Sequence, residues 1–181
     1  MKSPRPFVLL DRDGTLNVEK HYLSDPDQLE LYPGTGAALK RLRELGYGLA
    51  VLTNQSGIGR GYFGLDAVEK VHQRLREMLA AEGASLDGIY LCPHGPDEAC
   101  DCRKPLPGLA RQAMQQFGFE PGRSIMIGDK AADIGLGQAI GATTILVRTG
   151  WGADAEKAGD STPDAIVDDL AGAVAWIEAN K

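Results

Sequence analysis

Short apolar runs that stop on polar residues alternate along this chain with longer stretches whose apolar residues recur every three or four positions. Phe7-Val8-Leu9-Leu10 stops at Asp11, Leu49-Ala50-Val51-Leu52 at Thr53-Asn54, and Ser124-Ile125-Met126-Ile127 at Gly128-Asp129. Such runs, with no polar alternation, suit strands covered on both faces of a parallel sheet. Residues 88–91, 143–147 and 165–167 read as three further short strands. The helical period predicts a helix over 35–45, with Ala38, Leu39, Leu42 and Leu45 on one face and Gly46 as its stop. A longer helix is predicted over 66–82, its stripe formed by Val68, Val71, Leu75, Met78 and Leu79. His72, interleaved with charges there, is expected on the surface. Further helices are predicted over 108–117, 134–140 and 170–177. The stretches 17–33 and 148–163 read as loops, with a short extended piece at 29–31, and 55–64, with four glycines and Arg60, reads as mobile or ligand-shaping. Strand and helix alternate throughout. The expected fold is therefore α/β: a doubly wound, mostly parallel, Rossmann-like sheet in one domain over 1–181, with right-handed crossovers.

Composition narrows the function classes. A chain of 181 residues suits one α/β domain with a full core. The net charge of −6 argues against nucleic acid or an anionic membrane as partner. No apolar run is long enough to span a bilayer, and the first six residues lack the apolar core of a signal peptide, so cytoplasm is expected. The three cysteines fall between positions 92 and 102, an odd number closely packed, and make no disulfide framework. Nothing suggests a coiled coil, and a monomer is expected.

Where each apolar run ends, chemistry begins. Asp11 and Asp13 follow the first run, and two-residue alternation brings both to one pocket at the strand's carboxyl end. Open α/β sheets bind ligands there. A carboxylate is ionised at neutral pH and attacks phosphorus without a general base. The target is also an anion, so a bound Mg²⁺ is expected to screen the repulsion. Asp11 is the expected nucleophile and Asp13 the acid and base. An Asp/Gly turn is the plainer alternative. Thr53 and Asn54 can hydrogen-bond phosphoryl oxygens, or serve as turn formers. Asp129 can complete a Mg²⁺ site with Asp11, and Asp133 can support it from behind.

Cys92-x-His94 and Cys100-x-Cys102 supply four soft or borderline ligands within eleven residues. This is a Cys₃His set of the kind that closes a structural zinc site. Free buried cysteines or a redox pair are the alternatives. Arg103 and Lys104 follow at once, two cations that a metal loop can hold near a phosphate.

Asp11-Arg12-Asp13-Gly14-Thr15, Thr53, Lys104 and Gly128-Asp129 through Asp133 resemble, in order and spacing, the four motifs of the haloacid dehalogenase superfamily. Asp13 marks the phosphatases rather than the dehalogenases. Within the superfamily the resemblance is closest to sugar-bisphosphate phosphatases, with histidinol-phosphate phosphatases as near relatives. It rests further on Thr53 to Gly61, on the Cys₃His loop running into Arg103-Lys104-Pro105, and on Gly128-Asp129-Lys130. It implies a fold without a large cap and a small phosphorylated sugar as substrate. Mg²⁺ would be held by Asp11, the Asp13 carbonyl and Asp129, with Thr53 and Lys104 stabilising the transferring phosphoryl group. Glu19, Lys20, His21, Tyr22, Asn54, Gln55, Ser56, Arg103 and Lys130 would meet the substrate, and the zinc would be structural. One departure is the five-residue spacer between His94 and Cys100, shorter than in many members. A receiver-like signalling domain that stores an aspartyl-phosphate is the reading from a different class. Asp13 beside Asp11 favours turnover.

Overall fold

The computed structural model describes residues 4–181. Six strands, β1 (Phe7–Leu10), β2 (Gly48–Asn54), β3 (Gly88–Cys92), β4 (Ile125–Gly128), β5 (Thr143–Val147) and β6 (Ala165–Val167), form one parallel sheet in the order β3-β2-β1-β4-β5-β6. Among the described residues seven helices cover it: α1 (Thr35–Glu44), α2 (Ser56–Gly59), α3 (Leu65–Ala81), α4 (Gly108–Phe117), α5 (Ala131–Ile140), α6 (Gly152–Ala158) and α7 (Leu170–Ala179). This is the doubly wound α/β architecture that the sequence pattern predicts.

The apolar runs are continuous because each strand feeds two cores. Val8 and Leu10 join one buried cluster with Val51, Ile125 and Ile127, while Phe7 and Leu9 join the other with Ala50, Leu52 and Met126. Each fully buried leucine in these layers contributes about 1.5–3 kcal/mol. The register is fixed on both sides of β1: Leu10 lies opposite Val51 and opposite Ile127. The chain winds outward from β1 to the edge strand β3, then returns to β4 on β1's other side. The crevice of such a switch point opens at the strands' carboxyl ends. The Asp11, Thr53 and Asp129 positions all lie at that edge.

Three expectations need correction. The stretch 148–163 is not all loop, because Gly152–Ala158 forms α6, which ends at Gly159 in the left-handed conformation. Of α6 only Gly152 is buried, so the sequence carries no apolar stripe to announce it. Helix α5 starts at Ala131 rather than near 134, which places Asp133 in its first turn. His72 is not on the surface: it is only 6% exposed. It lies four residues after Val68 and three before Leu75, on the buried stripe of α3. Burial pushes its imidazole pKa down to about 3, the cations of Arg12 and Arg76 adding to the effect.

Candidate active site

A cavity of about 310 Å³ opens at the carboxyl ends of β1, β2 and β4. Asp11 is the first residue past β1 and is tied to β4 by its backbone N–H, which donates to the Ile127 carbonyl at 3.0 Å. Its Oδ1 accepts from the Arg12 backbone at 2.7 Å and pairs with Lys104 Nζ at 2.8 Å. Lys104 is fully enclosed. Its ammonium also donates to the Leu52 carbonyl at 2.7 Å and pairs with Asp133 Oδ1 at 2.6 Å. Burial alone would lower the lysine pKa, but the Asp11 and Asp133 carboxylates outweigh it and the pKa is raised. Lys104 is therefore a fixed positive charge against the expected nucleophile.

Asp13 reaches the same cavity by a different route from the one expected. β1 ends at Leu10, so strand alternation does not orient residues 11 and 13. Instead the chain turns: the Arg12 carbonyl accepts from the backbone N–H groups of Thr15, Leu16 and Asn17. Gly14 sits in this turn at φ +86°, and a Cβ there would overlap the Asp129 carboxylate. Glycine is thus required twice over. The Asp13 carboxylate takes hydrogen bonds from Arg12 Nη2 at 2.8 Å, Asn17 Nδ2 at 2.9 Å and Gln55 Nε2 at 2.9 Å. Burial would raise its pKa. The Arg12 guanidinium, itself wholly buried, and the two amides outweigh that and hold it below the ordinary carboxylate range.

Asp129 closes the site from β4. Burial and the neighbouring Asp11 charge push its pKa up to about 8. Its Oδ2 accepts from the Trp151 backbone at 2.9 Å. Carboxylate oxygens of Asp11, Asp129 and Asp133 all lie within 4.8 Å of one another. Asp133 faces Lys104 and also caps α5, its Oδ2 accepting from the Lys130 backbone at 3.0 Å. Lys130 Nζ lies beside this set, 3.2 Å from Asp129 Oδ1, 3.5 Å from the Asp13 carbonyl and 3.8 Å from Asp11 Oδ2. Hard oxygens gathered around a cation are the donor chemistry of a Mg²⁺ site, so the residues fit that metal.

Glu19, His21, Tyr22, Asn54, Gln55, Ser56 and Arg103 also border the cavity. His21 and Tyr22 hold positive φ values of 48° and 64°, an unusual backbone for side chains of this size. Tyr22 meets Tyr62 edge to face at 4.9 Å. The Asn54 side chain is committed to the backbone of Lys104, accepting from its N–H and donating to its carbonyl, and so fixes the 103–105 segment. Thr53 Oγ1 accepts from Gln55 at 2.8 Å. Lys20 is the one residue of the expected substrate set that stays off the cavity wall, pairing with Glu30 at 2.9 Å. Trp151 and Leu23 line the wall without having been foreseen. The bracketing of Trp151 by Gly150 and Gly152 was the only trace of it in the sequence.

The cysteine loop forms a second cluster beside the cavity. Cys102 Sγ lies 3.1 Å from Cys92 Sγ, and His94 Nδ1 lies 3.5 Å from Cys92 Sγ and 3.3 Å from Cys102 Sγ. Cys100 Sγ stands 3.9 Å from Cys92 Sγ. Tetrahedral zinc with Zn–S near 2.3 Å sets ligands about 3.8 Å apart, so this quartet fits the ion. Burial and the neighbouring thiols push the Cys102 thiol up to about 12. The loop is tied to the cavity by Arg103 Nη1, which donates to the His94 carbonyl at 3.1 Å. It is tied also by the Gln55 and Gly59 N–H groups, which donate to the Cys92 and Pro93 carbonyls.

Comparison with known proteins bears on this arrangement. A family model described as HAD-hyrolase-like matches residues 101–173. The chain is 40% identical over 170 residues to the D-glycero-beta-D-manno-heptose-1,7-bisphosphate 7-phosphatase of Pseudomonas aeruginosa, covering 92% of this chain and 94% of that one. It is 42% identical to the D-glycero-D-manno-heptose-1,7-bisphosphate 7-phosphatase of Thermosynechococcus vestitus, covering 96% of each. Its structure superposes on that of the D,D-heptose 1,7-bisphosphate phosphatase of B. bronchiseptica, solved with magnesium and phosphate. The TM-score is 0.90 at 31% identity, with 97% of this chain and 99% of that chain covered.

Proposed function

The chain belongs to the haloacid dehalogenase-like phosphatases, and from that membership we propose that it hydrolyses the C7 phosphate of D-glycero-D-manno-heptose 1,7-bisphosphate. The observation that carries the reading is the convergence of Asp11, Asp13, Lys104, Arg103 and Lys130 on one cavity. Two carboxylates with separate environments suit a nucleophile and an acid/base. The extra cations suit a substrate with a second phosphate better than one bearing an ammonium, which sets heptose bisphosphate ahead of histidinol phosphate.

Lys104 and the Arg12 N–H both contact Asp11 Oδ1 and so fix the attacking carboxylate. The new bond from the Asp11 carboxylate to phosphorus forms as the bond from phosphorus to the C7 oxygen breaks, and the departing oxygen takes a proton from Asp13. The donors around Asp13 keep it ionised at rest, so this proton arrives with the substrate, whose phosphate has a second pKa near 6. Asp13 then takes a proton from the water that cleaves the aspartyl-phosphate, returning Asp11 as carboxylate. Thr53 donates to the transferring oxygens, Lys104 stabilises their charge from its place beside Asp11, and Asn54 holds Lys104 in place. Mg²⁺, held by Asp11, the Asp13 carbonyl and Asp129, would offset the repulsion between Asp11 and the phosphate.

Within this reading Glu19, His21, Tyr22, Gln55, Ser56, Arg103 and Lys130 contact the sugar bisphosphate. A zinc ion on Cys92, His94, Cys100 and Cys102 is structural, and the ligand spacing supports that assignment. The whole chain works as one phosphatase domain built around the loop 92–102. The reading takes the enzyme as a cytoplasmic monomer. Unpaired cysteines support a reducing compartment, and no described helix is long and apolar enough to cross a membrane.

The test is phosphate release, with Mg²⁺, from heptose 1,7-bisphosphate and histidinol phosphate side by side. Strong preference for the bisphosphate is expected. Preference for histidinol phosphate would keep the mechanism and overturn the substrate. A persistent aspartyl-phosphate with no release would move the protein to the signalling class.

A further inference from the structure

Lys130 does more in this site than line a wall. Its ammonium lies 3.2 and 3.3 Å from the two Asp129 carboxylate oxygens, 3.5 Å from the Asp13 carbonyl and 3.8 Å from Asp11 Oδ2. These three residues are the oxygen donors assigned to Mg²⁺ above. Among the described residues the one partner outside that set is Glu19 Oε2, at 3.4 Å on the loop that carries His21 and Tyr22. The side chain is a little over one-third exposed at the cavity, so it has somewhere to go.

We infer that the Lys130 ammonium and Mg²⁺ compete for one cation position, so that loading the metal displaces the ammonium toward Glu19 and the cavity. The inference rests on the magnesium assignment proposed above. Magnesium draws its oxygens to about 2 Å and demands near-octahedral geometry. Lone pairs spent on the metal are lost to N–H donors, and two cations at one point repel. The lysine has an independent reason to be there. Asp11, Asp129 and Asp133 are three carboxylates buried within reach of one another, and Lys104 offsets only part of their charge. A tethered ammonium keeps the cluster folded while no divalent ion is bound. Once displaced, the same charge is delivered beside Glu19 at the cavity wall, where a second phosphate on the substrate would meet it. Metal loading and substrate capture would thereby be coupled through one side chain.

Two measurements test this, and neither needs turnover. In calorimetric titration, Lys130→Met should bind Mg²⁺ about tenfold more tightly than the wild type. In chelator its thermal midpoint should fall below the wild type's, and added Mg²⁺ should raise it by more. Unchanged or weaker Mg²⁺ affinity in Lys130→Met would overturn the competition. The second measurement uses the wild type, so no variant has to fold. Brief labelling with an amine-acetylating reagent, read by peptide mass spectrometry, should modify Lys130 several-fold more with Mg²⁺ than in chelator. Equal labelling would overturn the displacement. If the wild type binds no Mg²⁺ at all, the magnesium assignment itself is overturned and this inference with it. Substrate preference has no bearing on either result.

Discussion

The two clusters at this sheet edge are built in opposite ways. The carboxylate site draws Asp11 and Asp13 from the end of β1, Lys104 from the loop before α4, and Asp129, Lys130 and Asp133 from the end of β4 and the start of α5. These residues span 123 positions, and only the folded sheet brings them together. The Cys₃His cluster comes from eleven consecutive residues, and its thiols lie within contact of one another. The first site is a charge balance held by the fold, with buried carboxylates set against buried and half-buried cations. The second is a short loop, and under the zinc reading its order depends on the ion its thiols bind. Damage should therefore read out differently in each. In the carboxylate site, neutralising the nucleophile costs function while the fold persists, and only removal of a shared buried cation costs stability as well. In the loop, stability fails first and function follows through Arg103.

The most severe test of that contrast is Asp11→Asn. The amide keeps the size and still accepts from Arg12 N–H, so the fold should persist while phosphate release falls by about 10⁴-fold or more. Circular dichroism beside a phosphate-release assay checks it, and a variant retaining a tenth of wild-type turnover would remove Asp11 from the nucleophile's role. Next in size is Lys104→Met. Removing the ammonium leaves Asp11 and Asp133 buried against each other without their shared partner, a loss expected at about 3–5 kcal/mol in urea unfolding. A loss below about 1 kcal/mol would mean the pair is far better solvated than its burial implies.

The loop should answer to chelation instead. Treating the protein with a zinc-selective chelator is expected to release one zinc per chain, lower the thermal midpoint and raise KM more than it lowers kcat. The KM effect follows because Arg103 is anchored on the His94 carbonyl. Cys102→Ala should reproduce all three. Metal analysis that finds no zinc in protein purified without chelator would end the structural-zinc assignment, and the loop would then have to be ordered by its own thiol contacts.

The same contrast governs how much could be read without coordinates. The Cys₃His quartet is local, so spacing alone displayed it. The carboxylate site was legible only because each of its strands ends in a recognisable motif, and the α/β alternation implied one shared edge. What failed was whatever depends on backbone direction past a strand. Asp13 was expected to share Asp11's orientation by strand alternation, yet the strand stops at Leu10 and the Arg12–Asn17 turn sets its direction. Trp151 was missed because α6 is small, alanine-rich and apolar on no face. His72 was misplaced because its charged neighbours were weighed above its position on the Val68–Leu75 stripe. Lys130 was read as a substrate contact, and no spacing could show its ammonium amid the Asp129, Asp13 and Asp11 oxygens.

The smallest predicted effect separates charge in the site from charge in the core, through opposite responses to acid. His72 is held neutral, with a pKa near 3 against an ordinary 6.5. Its contribution is fully present above 6.5 and is lost as pH falls from there toward 3, because the unfolded chain protonates first. Asp129 has the reverse sign. Its folded pKa of about 8 lies above the unfolded value, so its contribution is present below about 4 and is lost as pH rises toward 8. Each shift has a slope of about 1.4 kcal/mol per pH unit at most. Between pH 6.5 and about 5 the two oppose each other, and in chelator the wild type should change little. His72→Gln unmasks Asp129, so that variant should gain stability on the wild type as pH falls, by about 1 kcal/mol per unit. Asp129→Asn unmasks His72 and should lose ground by a similar amount. Mg²⁺ requires ionised Asp129, so saturating metal should weaken the Asp129 limb and leave the His72 limb in place. Urea unfolding at pH 5.0 and 6.5, with and without Mg²⁺, reads all four slopes. Parallel curves for the two variants would mean that neither group is shifted as its burial requires.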